Sequence, residues 1–299
     1  MSTEQLAVGI DVGGTNLRTG LVTSTGELVD FFAAPIDRQL SGDEILQVII
    51  DQVNSLKDST RASGIGVAVA ASILKGCMFH EGMTTLSGLK GYPLCQRISD
   101  AFCKQCVIGN DANLTLLAEA HFGAAKGVRH VLLLTLGTGI GGGLMLNGQM
   151  YSGAHSSGVE IGLSLMPDWQ SRSYQSIENL AAPGALMNLL GDPRGFLFQR
   201  AENGDRVALT LINTMFDYLG VLVTNAHVLL DLDLVLLSGG LASVGVTLRD
   251  GVRAAFEKFC PQPVQFDLQI ELGSLRSDAA GVIGAACLYF QQQGWLTGI

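Results

Sequence analysis

Apolar residues along this chain come in short unbroken runs separated by longer stretches in which apolar positions recur at helical spacing. Leu6-Ala-Val-Gly-Ile10, Gly64-Ile-Gly-Val-Ala-Val-Ala70 and Val131-Leu-Leu-Leu-Thr-Leu136 have the length and composition of buried strands. The pattern predicts strands near 6–11, 19–23, 27–32, 64–70, 106–109, 131–136, 143–146, 234–237 and 266–271. It predicts helices near 42–57, 93–104, 111–126, 177–190, 205–230 and 242–259 and from Asp278 to Gln292, with a turn-rich stretch over 76–91. Strand-rich openings followed by alternating helices and strands predict α/β layers.

The pattern also repeats. Leu6 to Thr15 followed by Leu17 to Val22 has the grammar of Val131 to Gly143 followed by Leu144 to Leu146: strand, Gly/Thr-rich turn, strand. Two related domains facing each other would bring both turns to one cleft. At 299 residues the chain is long enough for one large core or two medium ones, with about two domains expected.

Composition narrows the function class. A chain that is 47% hydrophobic and 15% charged, with 38 glycines, suits buried parallel strands joined by tight turns. The formal charge of −9 and the lack of any Lys/Arg cluster disfavour nucleic-acid partners and anionic membranes. Met1-Ser-Thr-Glu-Gln5 runs straight into an apolar strand without signal-peptide regions, and no run reaches about 18 uninterrupted apolar residues. A cytoplasmic protein is expected. Cys77, Cys95, Cys103, Cys106, Cys260 and Cys287 have no framework spacing, so reduced thiols are expected. Cys103-Lys-Gln-Cys106 is formally a CxxC pair, but no second ligand pair is spaced for a metal, which favours a structural role.

Three glycine turns carry the chemistry. In Asp11-Val-Gly-Gly-Thr15 the missing Cβ atoms of Gly13 and Gly14 let backbone N–H groups approach a phosphate and adopt positive φ, and Thr15 adds a hydroxyl. Asp11, beside such phosphates, could hold Mg²⁺ directly or through water. The competing reading is a plain hairpin with an incidental Asp. The second turn, Leu136-Gly-Thr-Gly-Ile-Gly-Gly-Gly143, holds Gly137, Thr138 and Gly139 and contains a formal GxGxxG. A dinucleotide fingerprint must open a helix, whereas Leu144-Met-Leu-Asn-Gly-Gln-Met150 alternates and turns at Asn147-Gly148, a hairpin signal. The Walker pattern GxxxxGK[ST] is absent. Gly239 and Gly240, between a buried strand and a helix, are placed to receive the adenosine end of a nucleotide, or form a bare strand–helix turn.

These turns, with Asn110-Asp111-Ala-Asn113 just after a strand, resemble the ROK family of bacterial sugar kinases and sugar-responsive repressors. DxGGT, NDAN, LGTGxGGG, the stretch Tyr151 to Gly162, the Ser-Gly-Gly turn and Asp278-Ala-Ala-Gly-Val-Ile-Gly-Ala-Ala286 come in family order and cover essentially the whole chain. The resemblance implies an α/β, ribonuclease-H-like, actin-like ATPase fold with two domains around a cleft. It places a small N-terminal domain at 1–113, completed by the C-terminal helix 281–299, and a large domain at 114–280. It implies ATP and Mg²⁺ as cofactors, a sugar as substrate, and a homodimer. Asp111 matches the family's general base, and chemistry agrees, since an alcohol attacking the γ-phosphate must lose a proton. The alternative for Asp111 is a helix N-cap. Sugar ligands map onto Asn110, Asp111, Glu160 and Glu178, with Gly88 on the sugar side; solvated surface is the alternative for the two glutamates.

The chain departs from that pattern at three places. Where the family motif Glu-x-Gly-His supplies a zinc-binding His, this chain reads Glu160-Ile-Gly-Leu163, and 164–182 contains no cysteine, so no zinc is expected. A minority of zinc-free members, including β-glucoside kinases, are similar in this respect. Val69-Ala-Ala-Ser72 and Thr85-Leu-Ser-Gly88 replace the family's Pro-Gly and Asn-Leu-Pro-Gly patterns. Sugar-side changes against intact nucleotide-side turns imply a sugar kinase of shifted specificity, the 6-hydroxyl of a hexose, amino sugar or glycoside being the expected acceptor. The alternative is a catalytically weak sugar-binding or regulatory member. The repressor branch carries a helix-turn-helix segment before DxGGT, where this chain has ten residues.

Overall fold

The structure is a computed structural model that describes residues 5–74, 78–84, 86–168, 171–191, 197–265 and 267–296. The chain divides into two compact units, one comprising 1–127, 148–158 and 274–299, the other 128–147 and 159–273.

In chain order the first segment carries β1 (Leu6–Val12), β2 (Asn16–Thr23), β3 (Leu28–Pro35), α1 (Gly42–Ser55), β4 (Ile65–Val69), β5 (Ala71–Leu74), β6 (Met78–Thr84), α2 (Leu94–Phe102), β7 (Cys106–Asn110) and α3 (Asp111–Phe122). Next come β8 (Val131–Leu136), β9 (Ile140–Leu146), β10 (Gln149–Tyr151), β11 (Leu165–Asp168), β12 (Ser173–Ser176), α4 (Ile177–Ala181), α5 (Pro183–Leu189) and α6 (Leu197–Glu202). The chain closes with α7 (Arg206–Leu230), β13 (Leu234–Ser238), α8 (Val246–Phe259), β14 (Gln269–Leu272) and α9 (Ala280–Gln292).

The first unit is built on a sheet of order β3-β2-β1-β4-β7, in which β1, β4 and β7 run parallel and β2 and β3 are antiparallel. In the second unit the order is β9-β8-β13-β14, with β8, β13 and β14 parallel and β9 antiparallel. Each unit therefore opens with a hairpin whose first strand then collects two parallel neighbours on its free side. The repeat in the hydrophobic pattern is thus a repeat of strand topology.

One face of the first sheet buries Ile10, Ile45, Ile49, Leu94 and Ile98 in a single cluster with α1 and α2; the other buries Ala68, Leu114, Val282 and Phe290 with α3 and α9. Full burial of each such aliphatic side chain is worth about 1.5–3 kcal/mol. Helix α9 lies so close to the sheet that a Cβ at Gly66 would sit 1.8 Å from Ala285 O, so only glycine permits this approach. Helix α3, which the boundary expected at 113/114 would split, lies whole in the first unit. Its buried Glu119 accepts hydrogen bonds from Ala124 N, Ser274 N, Ser274 Oγ and Leu275 N at 2.8–3.2 Å.

Several boundaries differ from the sequence expectation for identifiable reasons. The helix expected over 177–190 is two helices, because Pro183 lacks an N–H and holds Ala182 in an extended conformation. The helix expected from 242 begins at Val246 after a 3-10 turn, since Gly245 at φ 67° breaks the path. The hairpins β5–β6 and β11–β12, the short strand β10 and helix α6 were not anticipated. By length and composition α7 could cross a membrane, yet Ile212, Met215, Leu219 and Val223 are buried in the second unit's core.

Candidate functional site

In open α/β sheets ligands gather outside the carboxyl ends of parallel strands. In the first unit, Val12, Val69 and Asn110 are level on β1, β4 and β7. Strand spacing puts the backbones of Val12 and Asn110 about 10 Å apart on one sheet edge. That edge holds the turn after β1, and also Asn110 and Asp111.

The turn is closed by Gly13 N–H donating to Asn16 O at 3.0 Å. Gly13 does not adopt positive φ, contrary to expectation; its glycine serves space, since a Cβ would lie 3.2 Å from Asn16 O. Asp11 faces Arg18 across the β1–β2 ladder, and Arg18 Nη1 donates to Asp11 Oδ2 at 3.0 Å. Burial pushes the Asp11 carboxyl above its ordinary value, against the opposing pull of that guanidinium. A carboxylate oxygen here suits a hard cation held mainly by phosphate and water. Arg18 shares that carboxylate, which favours binding through water over a direct bond.

At the end of β7, Asn110 is the N-cap of α3: its Oδ1 accepts from Asn113 N at 3.1 Å while its Nδ2 donates to Ala71 O at 3.3 Å. The capping role considered for Asp111 thus belongs to its neighbour. Asp111 is the first helical residue, half-buried, with Oδ1 accepting from Ala112 N at 2.9 Å. The positive end of the helix favours an anionic side chain at this position. Gly88 pairs with Ser41 in an isolated bridge, and a Cβ there would meet Leu40 O at 2.1 Å, so a backbone approach accounts for this glycine.

In the second unit, β8 and β13 are parallel neighbours with Thr135 opposite Ser238, so Gly137, Thr138, Gly139, Gly239 and Gly240 all leave from one edge. Gly239 takes φ 86° and folds back so closely that a Cβ would lie 2.6 Å from Leu136 O. Glu178, capped into α4 by Ser176, directs Oε2 to Ile140 N at 2.9 Å, and a Cβ on Gly139 would overlap that carboxylate. Glu178 therefore braces the second glycine turn. Half-buried Glu160 opens a 3-10 turn over Ile161–Leu163.

Sequence reasoning missed four residues of interest. Glu119 and Arg18 act through partners visible only in the fold. Val159, immediately before Glu160, sits at φ 68°, an outlying conformation for a β-branched residue. Arg38 Nε donates to Gly14 O at 2.6 Å.

Zinc does not fit the residues present. Leu163 offers an exposed aliphatic chain where the resemblance would require His, and among the described residues no group of three or more His, Cys, Asp or Glu converges. The following hairpin is held by hydrogen bonds to buried Asp168 from Ser171 and Gln175. Cys103 is exposed, and the neighbour of Cys106 is Cys95, whose Sγ donates to Cys106 O at 3.2 Å. Its contact with Cys95, together with burial, pushes the Cys106 thiol up.

Duplicated strand topology, with a Gly/Thr turn at the carboxyl edge of the parallel strands in each copy, defines an α/β protein built of two like units. The sequence profile of the ROK family matches residues 7–292, and the chain belongs to that family. A glucokinase from Halalkalibacterium halodurans is 28% identical, the match covering 96% of this chain and 95% of the relative. An N-acetylmannosamine kinase from Escherichia coli O157:H7 is 26% identical over 94% of this chain and 97% of its own. The crystal structure of a ROK family glucokinase from Streptomyces griseus, in complex with glucose and AMPPNP, superimposes with a TM-score of 0.81 at 23% identity. That match covers 95% of this chain and 98% of the other. The fold is the two-domain, actin-like ATPase fold of the ROK sugar kinases.

Proposed function

We propose that this protein is an ATP-dependent sugar kinase that transfers the γ-phosphoryl group to a sugar hydroxyl, the 6-hydroxyl of a hexose, amino sugar or glycoside, with Asp111 as general base. The observation that carries the reading is the shared sheet edge of the first unit, where Asp111 opens α3 two strands from the Asp11–Thr15 turn. Relatives named glucokinase and N-acetylmannosamine kinase support the reaction class.

In this mechanism the sugar hydroxyl oxygen attacks the γ-phosphorus, its proton passes to an Asp111 carboxylate oxygen, and the bond to the β-phosphate oxygen breaks with ADP leaving. Asn110 and Glu160 hold sugar hydroxyls, which amides and carboxylates can accept without reading charge. The turns at Gly13–Thr15 and Gly137–Gly139 offer backbone N–H groups to the phosphates, and Gly239 and Gly240 face the adenosine end. Mg²⁺, when bound near Asp11 through water, would neutralise charge on the phosphate chain. Cytoplasmic location, a homodimer and freedom from nucleic-acid or membrane partners belong to the same reading.

The test is ADP release with Mg-ATP across glucose, fructose, mannose, allose, N-acetylglucosamine, N-acetylmannosamine and β-glucosides, with Asp111→Asn in parallel. One sugar giving Asp111-dependent turnover is the expected result. Exposed Leu163 on the sugar side favours a second reading, a sugar-binding regulator. Sugar binding by calorimetry with no turnover on any acceptor would select it.

A further inference from the structure

Arg38 lies in the link between β3 and α1 and is exposed. Its Nε–H donates to Gly14 O at 2.6 Å and its Nη2 to Thr15 Oγ1 at 3.4 Å, so the guanidinium rests on the first glycine turn. The link itself is tied down on both sides. Ile36 N–H donates to Thr15 O at 3.0 Å, and Ser87 Oγ donates to Arg38 O at 3.4 Å. Ser87 adjoins Gly88, whose bridge to Ser41 closes the same link. Arg38 therefore stands between the turn assigned to phosphates and the segment assigned to the sugar side.

Its charge is also uncommitted. Arg18 is ion-paired with Asp11, whereas Arg38 forms no ion pair among the described residues. A guanidinium has five N–H donors in a planar fork suited to two phosphoryl oxygens at once. Two of them anchor Arg38 to the turn, and the rest remain for a ligand. A pre-anchored cation with spare donors, placed where donor and acceptor segments meet, has the properties that stabilise charge developing on a transferring group.

We infer that Arg38 is a phosphoryl-binding residue that donates hydrogen bonds to the γ-phosphoryl oxygens during transfer. The inference rests on the kinase reading above. Arg38 neither gains nor loses a proton: the acceptor oxygen bonds to phosphorus, the proton goes to Asp111, ADP leaves with the electron pair of the broken P–O bond, and Arg38 balances charge on the oxygens between them.

The experiment measures kcat, KM for ATP and, by calorimetry, ADP affinity for the wild type, Arg38→Ala and Arg38→Lys, using the sugar identified in the panel. Removal of one such donor group is expected to lower kcat by about 10²–10³, with ADP affinity within about threefold of wild type. Lysine, which keeps charge but not the fork, is expected to recover part of the rate. A kcat for Arg38→Ala within about threefold of wild type overturns the inference and leaves the kinase standing. Equal losses in kcat and ADP affinity also overturn it, since they reduce Arg38 to a brace for the turn. Should the alanine variant fail to fold, Arg38→Lys decides, an unimpaired lysine enzyme excluding a bidentate role. A wild type that binds neither ADP nor AMPPNP and turns over no sugar refutes the kinase reading itself.

Discussion

Val159 offers a direct measurement of backbone strain beside a candidate sugar ligand. At φ 68° its Cβ crowds the following peptide, which costs an L-residue about 1–2 kcal/mol. Its side chain is half-buried, packed against the second unit's core over Gly142, so simple truncation loses contacts as well. Comparing Val159→Ala with Val159→Gly separates the two effects. Both discard the branched methyls, but only glycine removes the Cβ that is in conflict with the backbone. Glycine also gains about 0.5–1 kcal/mol of chain entropy in the unfolded state, so the net advantage of the glycine variant is about 0.5–1 kcal/mol. For a unit of this size that corresponds to about 2–4 °C in Tm per kcal/mol. Thermal melts by circular dichroism and by calorimetry should agree on the order. An alanine variant as stable as the glycine variant, or more so, would mean that residue 159 is not held in the left-handed region.

Four further outcomes follow from particular contacts. Asp111→Asn should keep fold and ATP affinity while turnover drops by roughly 10²–10⁴, read by coupled ADP release; unimpaired turnover removes Asp111 from the mechanism. Glu178→Ala strands the Ile140 N–H and should cost about 1–3 kcal/mol of stability and weaken AMPPNP binding. Glu178→Gln retains an acceptor and should lose little on either measure. Glu119→Gln turns an amide donor toward a carboxylate site that accepts four hydrogen bonds, so denaturant melts should show a loss of about 2–3 kcal/mol. Burial holds the His121 imidazole below its ordinary pKa, so the unfolded chain binds the extra proton first. Stability should therefore fall as pH drops through about 6.5, with a slope of up to about 1.4 kcal/mol per unit from one such group. His121→Leu should flatten that slope.

The parts of the fold that were legible in the sequence are those with local causes. Strands β1, β4, β8 and β13 are continuous apolar runs, the glycine turns punctuate them, and α7 carries a long apolar pattern opened by its Asp205 cap. Asp111 was legible as a residue at a strand–helix junction, although assigning the cap to Asn110 required the geometry of α3. What escaped depends on contacts remote in sequence. Arg38 meets a turn 24 residues earlier, and Glu119 finds Leu275 at a separation of 156. Neither contact leaves a motif. The hairpin β11–β12 has only four residues in each strand, and Asp168 organises it through side-chain hydrogen bonds rather than apolar alternation.

The approach of α9 to Gly66 has a consequence for how the protein is made. The strand that needs this helix is synthesised 219 residues before Ala285 (285 − 66). At about 5–20 residues per second, Gly66 waits on the order of ten to forty seconds for Ala285. During that time the face formed by Ala68, Val107 and Leu114 of α3 lacks the cover that α9 gives it. Loss of residues 280–299 would leave the first unit without one wall of its core.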